Sequence, residues 1–417
     1  MSAAGVDQAG ADLVDIIVPV YRDLAVTQRC LESVLAHTPL DRARIIVIDD
    51  ASPEPALSDY CLRLANRGVV TLLVNETNCG FVGAVNRGMQ EGAERDVVLL
   101  NSDTQVPPGW LQRLERCAAS AGSIATVTPF SNNATICSYP FFCQSAGLPD
   151  GLTLEALDAL FAEANAGQVC DLPTAVGFCV YIPRAALDAL GLFDEAAFGR
   201  GYGEENDFSR RAASRGWRNV LCADLFVYHQ GGASFGADSS ALMAAGNAQL
   251  QDRYPDYADI IADFVAEDPL AELRCRVDEH RLTLPGQAMV VSREWQNERG
   301  RLQRLVVERR ELEVLCGTLG TEIRHLRVSI DELSQQRSQY DQRCREYDER
   351  CARYQALLEE ARDQLAITDR GLADLQANHR ESLRTAEQLA VELDQARETL
   401  QQIYSSRVWR YSTWLRR

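Results

Sequence analysis

Residues 97–103 read VVLLNSD, and no other stretch restricts the fold as strongly. Four apolar residues in a row, followed by turn residues, fit a strand buried on both faces. TQVPPGW over residues 104–110 then breaks that strand and opens a helix. A strand buried on both faces belongs to an α/β sheet with helices above and below it. The carboxyl end of such a strand is where open α/β sheets bind ligands. Asp103 sits at that end, placed either to cap the following helix or to hold a hard cation or a ribose.

The stretches on either side repeat the strand-then-helix alternation. Strands are expected over 15–20 (DIIVPV), 43–48, 69–74, 124–127, 174–182 and 220–228. Helices are expected over 24–36, 84–92, 153–166, 184–190, 204–215 and 241–268, the last closing the globular part. This spacing implies parallel β-α-β units with right-handed crossovers. Asp49, Asp50, Asn78, Gly80 and Asp103 all follow strands, so they should converge on one rim of the sheet. Gly177 lies inside an expected strand, where a ligand or a backbone can come close. GRGYG over 199–203 is a flexible turn, and Glu204, Glu205 and Asp207 open the helix that follows. Acidic residues in a first turn also suit the helix dipole on its own.

The formal net charge of -18 argues against non-specific nucleic-acid binding. No apolar run reaches membrane-spanning length, and residues 1–10 carry neither a basic n-region nor an apolar core. A cytoplasmic protein is expected. The thirteen cysteines form no C-x-x-C pair and read as reduced structural thiols, with neither a zinc site nor a disulfide frame.

From Leu319 onward, steps of four and three residues land on Ile323, Leu326, Ile330 and Leu333, and the register continues to Ile403. A sustained period of 3.5 residues predicts a coiled coil, a long single surface helix being the alternative. Residues 403–417 (IYSSRVWRYSTWLRR) set tryptophan beside arginine, which suits a membrane interface or a partner-binding end.

Six motifs, in this order and spacing, resemble the family 2 glycosyltransferases, inverting enzymes of the GT-A fold. They are VPVYRD (18–23), VIDDASP (47–53), NETNCGFVGAVNRG (75–88), LLNSDTQVPPGWL (99–111), GYGEENDFSRR (201–211) and HQGGASF (229–235). The resemblance covers about residues 15–234 and is nearest to rhamnosyltransferase-like bacterial members. It implies a Rossmann-like α/β domain with a mostly parallel mixed sheet, followed by the helical coiled coil. The expected organisation is a disordered 1–12, a transferase domain over 13–268, a helical linker over 269–300, a coiled coil over 301–404 and a basic amphipathic end over 405–417.

Carried over residue by residue, the resemblance implies that Pro19, Val20 and Tyr21 line the nucleotide base. Asp50, with Asp49 beside it, would hold the base or ribose. Asn78, Gly80 and Asn86 would lie along the donor site with Asn101 and Ser102. Asp103 would bind the metal at the end of a D-x-D motif, and His229 would complete the metal shell. Glu205 would be the general base, with Glu204 and Asp207 as its helix neighbours. The first aspartate of D-x-D is Asn101 here, a change that rhamnosyltransferase-like members share. The implied cofactor is Mg²⁺ or Mn²⁺, and one carboxylate, one imidazole and the diphosphate itself could hold it. An acidic chain needs such a cation to hold an anionic donor.

The implied function is inverting transfer from a nucleotide-diphospho-sugar, such as dTDP-rhamnose or a UDP-sugar, to a cell-surface polysaccharide or lipid-linked glycan. The other reading is an inactive transferase-like scaffold acting through the coiled coil. Expected partners are the donor, the glycan acceptor, a second copy of the chain and the inner face of the membrane, with no nucleic acid.

Overall fold

The structure is a computed structural model that describes residues 14–92, 94–231, 239–346, 362–373, 376–377 and 380. It divides into two compact units, one reaching Glu298 and a second over Arg299–Arg397.

The first unit begins with β1 (Val14–Val20), α1 (Leu24–His37), β2 (Ala43–Asp49), α2 (Pro55–Asn66), β3 (Thr71–Val74), α3 (Gly80–Glu91) and β4 (Val97–Leu100). It continues through β5 (Thr104–Gln105), α4 (Trp110–Ala118), β6 (Ile124–Phe130), α5 (Leu154–Ala164), β7 (Val169–Leu172) and β8 (Cys179–Ile182). Next come α6 (Arg184–Leu190), α7 (Glu195–Phe198), α8 (Glu204–Ser214), β9 (Arg218–Phe226) and β10 (Tyr228–His229). Helices α9 (Ser239–Arg253), α10 (Tyr257–Glu267), α11 (Ala271–Leu282) and α12 (Gln287–Glu346) complete the described order.

Eight strands form one mixed sheet in the order β3-β2-β1-β4-β8-β6-β9-β7. The first four are parallel, β8 is antiparallel to β4 and β6, and β9 runs parallel to β6. β5 and β10 make a separate antiparallel ribbon in which His229 faces Thr104. The period-two alternation of a strand explains the two cores. Val14, Ile16, Val18 and Val20 of β1 join Leu31, Val34, Leu57, Leu64 and Trp110 on one face. Ile17 joins Val82, Val85 and Met89 of α3 on the other.

The expected strand over 174–182 is shorter, pairing only from Cys179. The Ala175 amide instead donates to Ser209 Oγ at 2.9 Å, and the Phe178 carbonyl accepts from the Asn101 amide at 2.8 Å. Those bonds draw residues 174–178 off the sheet toward α8 and the end of β4. The single helix expected over 241–268 is two helices, separated at Pro255, which cannot donate within a helix. The sequence reading passed over α2, whose Pro55 occupies the start of the helix where proline is well tolerated.

Residues 269–298, expected as a helical linker, are helical and pack into the first unit. α11 lies against α5. Arg281 is fully buried, its guanidinium donating to Tyr139 Oη at 2.9 Å and to both Glu294 oxygens at 2.9 and 3.0 Å.

Within the second unit, Leu305, Arg309, Leu312, Cys316, Leu319, Ile323, Leu326, Ile330 and Leu333 are less exposed positions of α12 at heptad spacing, as are Arg301 and Gly320 outside it. The register positions expected from Leu319 to Leu333 are among them. The continuation of the register over 347–361 and 381–404, the basic end over 405–417, and residues 1–12 lie outside the described residues. No described helix is long and apolar enough to cross a membrane.

Candidate active site

The carboxyl ends of β1, β2 and β4 and the start of α3 meet around a cavity of about 480 Å³. Pro19, Val20 and Tyr21 form its β1 wall, Asn101 and Ser102 its β4 wall, and Asp50, Asn78 and Gly80 the side between β2 and α3. These eight residues are all on the expected rim, because a parallel sheet sends every such strand end to the same edge.

Asp50 fixes the α3 side of the cavity. Its Oδ1 accepts from Asn75 Nδ2 at 2.7 Å and from the Cys79 amide at 2.8 Å. Its Oδ2 accepts from the Gly80 amide at 2.9 Å. Two otherwise orphaned amides at the start of α3 are thereby satisfied. Gly80 has a φ of 77°, and a Cβ there would lie 2.5 Å from Arg200 Cα. Only glycine allows both that conformation and the contact. Residues 199–203 consequently cross directly over the start of α3, with the Phe81 amide donating to the Arg200 carbonyl at 3.0 Å.

Asp49, Asn86 and Asp207 do other work. The Asp49 carboxylate accepts from the Ser52 amide at 2.8 Å and from the Ser58 hydroxyl, which ties β2 to α2. Asn86 bonds both the amide and the carbonyl of Phe193, at 3.2 and 2.9 Å, which ties α3 to the segment before α7. Asp207 is fully buried and accepts from Arg211, Arg253 and Tyr254 at 2.8, 2.7 and 2.9 Å. A carboxylate held by two guanidiniums and a phenol is an anchor for α8 and has no capacity left for a substrate proton.

Asp103 and His229 meet through the small ribbon. Antiparallel pairing of β5 with β10 and the bond from the Gln230 amide to the Asp103 carbonyl, 2.9 Å, bring the two side chains together. His229 Nε2 lies 3.3 Å from Asp103 Oδ1, and both groups are nearly buried. His229 Nδ1 lies 2.6 Å from the Asn133 carbonyl, which can only accept, so Nδ1 carries the hydrogen. In the neutral ring, Nε2 then presents a lone pair toward a carboxylate oxygen. That approach calls for positive charge at Nε2, supplied either by a proton on the ring or by a cation held beside the two groups. A ligating histidine whose other nitrogen donates to a backbone carbonyl is also the usual arrangement around a metal. The pair thus fits a hard divalent ion that takes its remaining oxygens from a ligand and from water. Among the described residues no cluster of three or more such side chains exists, and Asp103 and His229 are the two that meet here.

Glu204 and Glu205 open α8 behind Gly203, whose φ of 101° sets the helix start. Neither lines the cavity. Glu205 lies against Gly177, whose Cβ would be 3.5 Å from the Glu205 carboxyl carbon. The next residue, Phe178, stacks on the His229 ring with centroids 5.2 Å apart. Residues 177–178 therefore link Glu205 to the Asp103–His229 pair. Burial pushes the Glu204 carboxyl well above the usual range, and the neighbouring Glu205 charge adds to it. Burial raises Glu205 as well. Glu204 Oε2 is buried with no hydrogen-bond partner, as suits a neutral carboxylic acid better than a carboxylate.

Several contributors escaped the sequence reading. Arg22, Phe81, Ala84, Arg200 and Leu242 also line the cavity. Asn133 and Phe178 orient His229. Arg200 stands in the glycine-rich turn already singled out, so composition marked that stretch without marking the residue.

Residues 15–134 match the family model described as glycosyl transferase family 2. That match includes the β1, β4 and β2–α3 walls of the cavity and Asp103 but stops before Arg200, Glu205, His229 and Leu242. An uncharacterized protein of Sinorhizobium fredii, y4gI, is 24% identical over 55% of this chain and 26% of its own length. The glycosyltransferase GlyA of Streptococcus pneumoniae is 22% identical over 33% of this chain and 18% of its own. The chain thus spans about a quarter or less of these curated relatives. Among solved structures, GalNAc-T7 with UDP, GalNAc and Mn²⁺ superposes with a TM-score of 0.46 at 19% identity, covering 66% of this chain and 55% of that one.

Proposed function

We propose, from the match of residues 15–134 to the model of glycosyl transferase family 2, that the protein transfers a sugar from a nucleotide-diphospho-sugar to a hydroxyl of a cell-surface or lipid-linked glycan, with inversion. The observation that carries this reading is a cavity of about 480 Å³ whose β4 wall, Asn101 and Ser102, runs directly into Asp103 of the Asp103–His229 pair. The rhamnosyltransferase-like motifs favour a deoxyhexose donor such as dTDP-rhamnose, with UDP-sugars next.

Pro19, Val20 and Tyr21 hold the base, and Asp50, already fixed by three hydrogen bonds, accepts from base or ribose. Asp103 and His229 would hold Mg²⁺ or Mn²⁺, which supplies positive charge to the diphosphate. Glu205 accepts the proton of the acceptor hydroxyl. The freed oxygen attacks the anomeric carbon from the face opposite the diphosphate. The bond from that carbon to the phosphate oxygen breaks, and its electron pair leaves with the nucleoside diphosphate. The raised Glu205 carboxyl suits a base that must accept a proton near neutral pH. Glu204 and Asp207 support it, one as a neutral neighbour and the other as the anchor of its helix.

We propose further that α12 pairs with a second copy of the chain and that the basic end brings the enzyme to the inner face of the membrane. Light scattering and vesicle sedimentation on the full chain test both. The transfer reading is tested by incubating the protein with a panel of nucleotide sugars, Mn²⁺ and a lipid-linked glycan fraction. Nucleoside diphosphate release from one donor supports it, and an inactive scaffold releases none.

A further inference from the structure

We propose that Arg200, assisted by Arg22, is a donor-binding residue that holds the diphosphate of the nucleotide sugar, an inference that rests on the transfer reading above. Both guanidiniums line the cavity, arriving from separate segments, the end of β1 and the turn over residues 199–203. Both are exposed, and among the described residues neither pairs with a carboxylate. Arg22 lies over the Tyr21 ring at 5.0 Å, and Arg200 Nη2 donates to Asn78 Oδ1 at 2.8 Å. A guanidinium has five N–H donors in a planar fork that matches phosphate oxygens, so most of that capacity is unspent.

Charge balance asks for such a group. The leaving diphosphate gains negative charge as the glycosidic bond breaks, Asp103 adds one more, and the whole chain is at -18. Asn101 stands where a second metal carboxylate is expected, so the cation is held by fewer charges from the protein. A guanidinium on the phosphates strengthens their hold without depending on that missing carboxylate. The placement of Arg200 is also built. Gly80 omits the Cβ that would collide with Arg200 Cα, and the Arg200 carbonyl is pinned by the Phe81 amide. The same turn leads within five residues to Glu205, so a phosphate held by Arg200 also steadies the approach to the base.

The test is calorimetric titration of the full chain with UDP, dTDP and GDP in Mg²⁺. Arg200→Ala should weaken whichever nucleotide binds by about 10- to 100-fold, as loss of a charge-assisted hydrogen bond does. Arg200→Lys should recover part of this, and Arg22→Ala should cost less. Native affinity in Arg200→Ala would overturn the role of Arg200 while leaving the donor site standing. Equal losses in the Ala and Lys variants, with both melting earlier than the native protein, would mark Arg200 as a backbone prop and overturn it too. A native protein that binds none of the three nucleotides would remove the donor reading and Arg200 with it.

Discussion

The cavity rim and the edge beside it, the two sides of the candidate site, are built on different principles. The side formed by β1, β2, β4 and the start of α3 consists of strand ends in one parallel register, fixed by backbone pairing and by Asp50. The neighbouring edge, residues 177–178, 199–205 and 229, is built from turns that lead into the start of α8 and the end of β10, and only Arg200 of it lines the cavity. Gly199, Gly201, Tyr202 and Gly203 all have positive φ, and Tyr202 is a non-glycine residue in that region. On the function proposed above, the rim holds the nucleotide, while the turn-built edge adds Arg200 and His229 at the diphosphate and Glu205 as the base, and substitutions on the two sides test that division.

The largest expected effect lies on the turn-built side. Glu205→Gln should lower turnover by about two to four orders of magnitude while leaving nucleotide affinity near the native value. Steady-state kinetics beside calorimetry checks this, and a matching loss of affinity would mean that the two sides are not separable.

Gly80 joins the two sides and should respond more than any glycine remote from the cavity. Gly80→Ala forces a left-handed alanine into the Arg200 backbone and should cost about 2–5 kcal/mol of stability. Gly109, with φ 72° and open space around it, should cost only about 1 kcal/mol on the same change. Denaturant melts of both variants measure the difference.

The smallest effect is expected at Glu204. Burial and the neighbouring Glu205 charge hold its carboxyl well above the usual range, which favours its neutral form. Glutamine imitates a neutral acid, and Glu204→Gln should therefore leave the acidic limb of the pH–rate profile in place. In the native enzyme, turnover should fall as pH drops through the raised Glu205 value, because only the carboxylate accepts a proton. A shift of that limb to lower pH in the variant would show that Glu204 carries charge during turnover.

The rim was legible in the sequence because polar residues after apolar runs must emerge at strand ends, as Asp50 and Asp103 do. Which of two neighbouring aspartates faces the cavity was not, since successive residues at a strand end point to opposite sides. Asp49 accordingly serves α2, and Asp50 the cavity. The protein partners of Asn86 and Asp207 were hidden for a related reason. A polar residue on a helix reads the same whether it meets a ligand or a partner segment, and here Phe193, Arg211 and Arg253 are those partners. Arg200, Asn133 and Phe178 reach the site only by tertiary approach of distant turns, which no local pattern encodes. The α11 packing was hidden likewise, because a buried arginine such as Arg281 resembles a solvent-facing one until Tyr139 and Glu294 are placed beside it.

The central claim is that the rim holds a nucleoside diphosphate through a cation bound by Asp103 and His229. Calorimetry of UDP, dTDP and GDP against the native full chain, in Mn²⁺ and in chelator, tests it most directly. The account predicts that one nucleotide binds at least tenfold more tightly with the metal, and that Asp103→Ala abolishes this difference. Equal affinity with and without the metal in the native protein would contradict it.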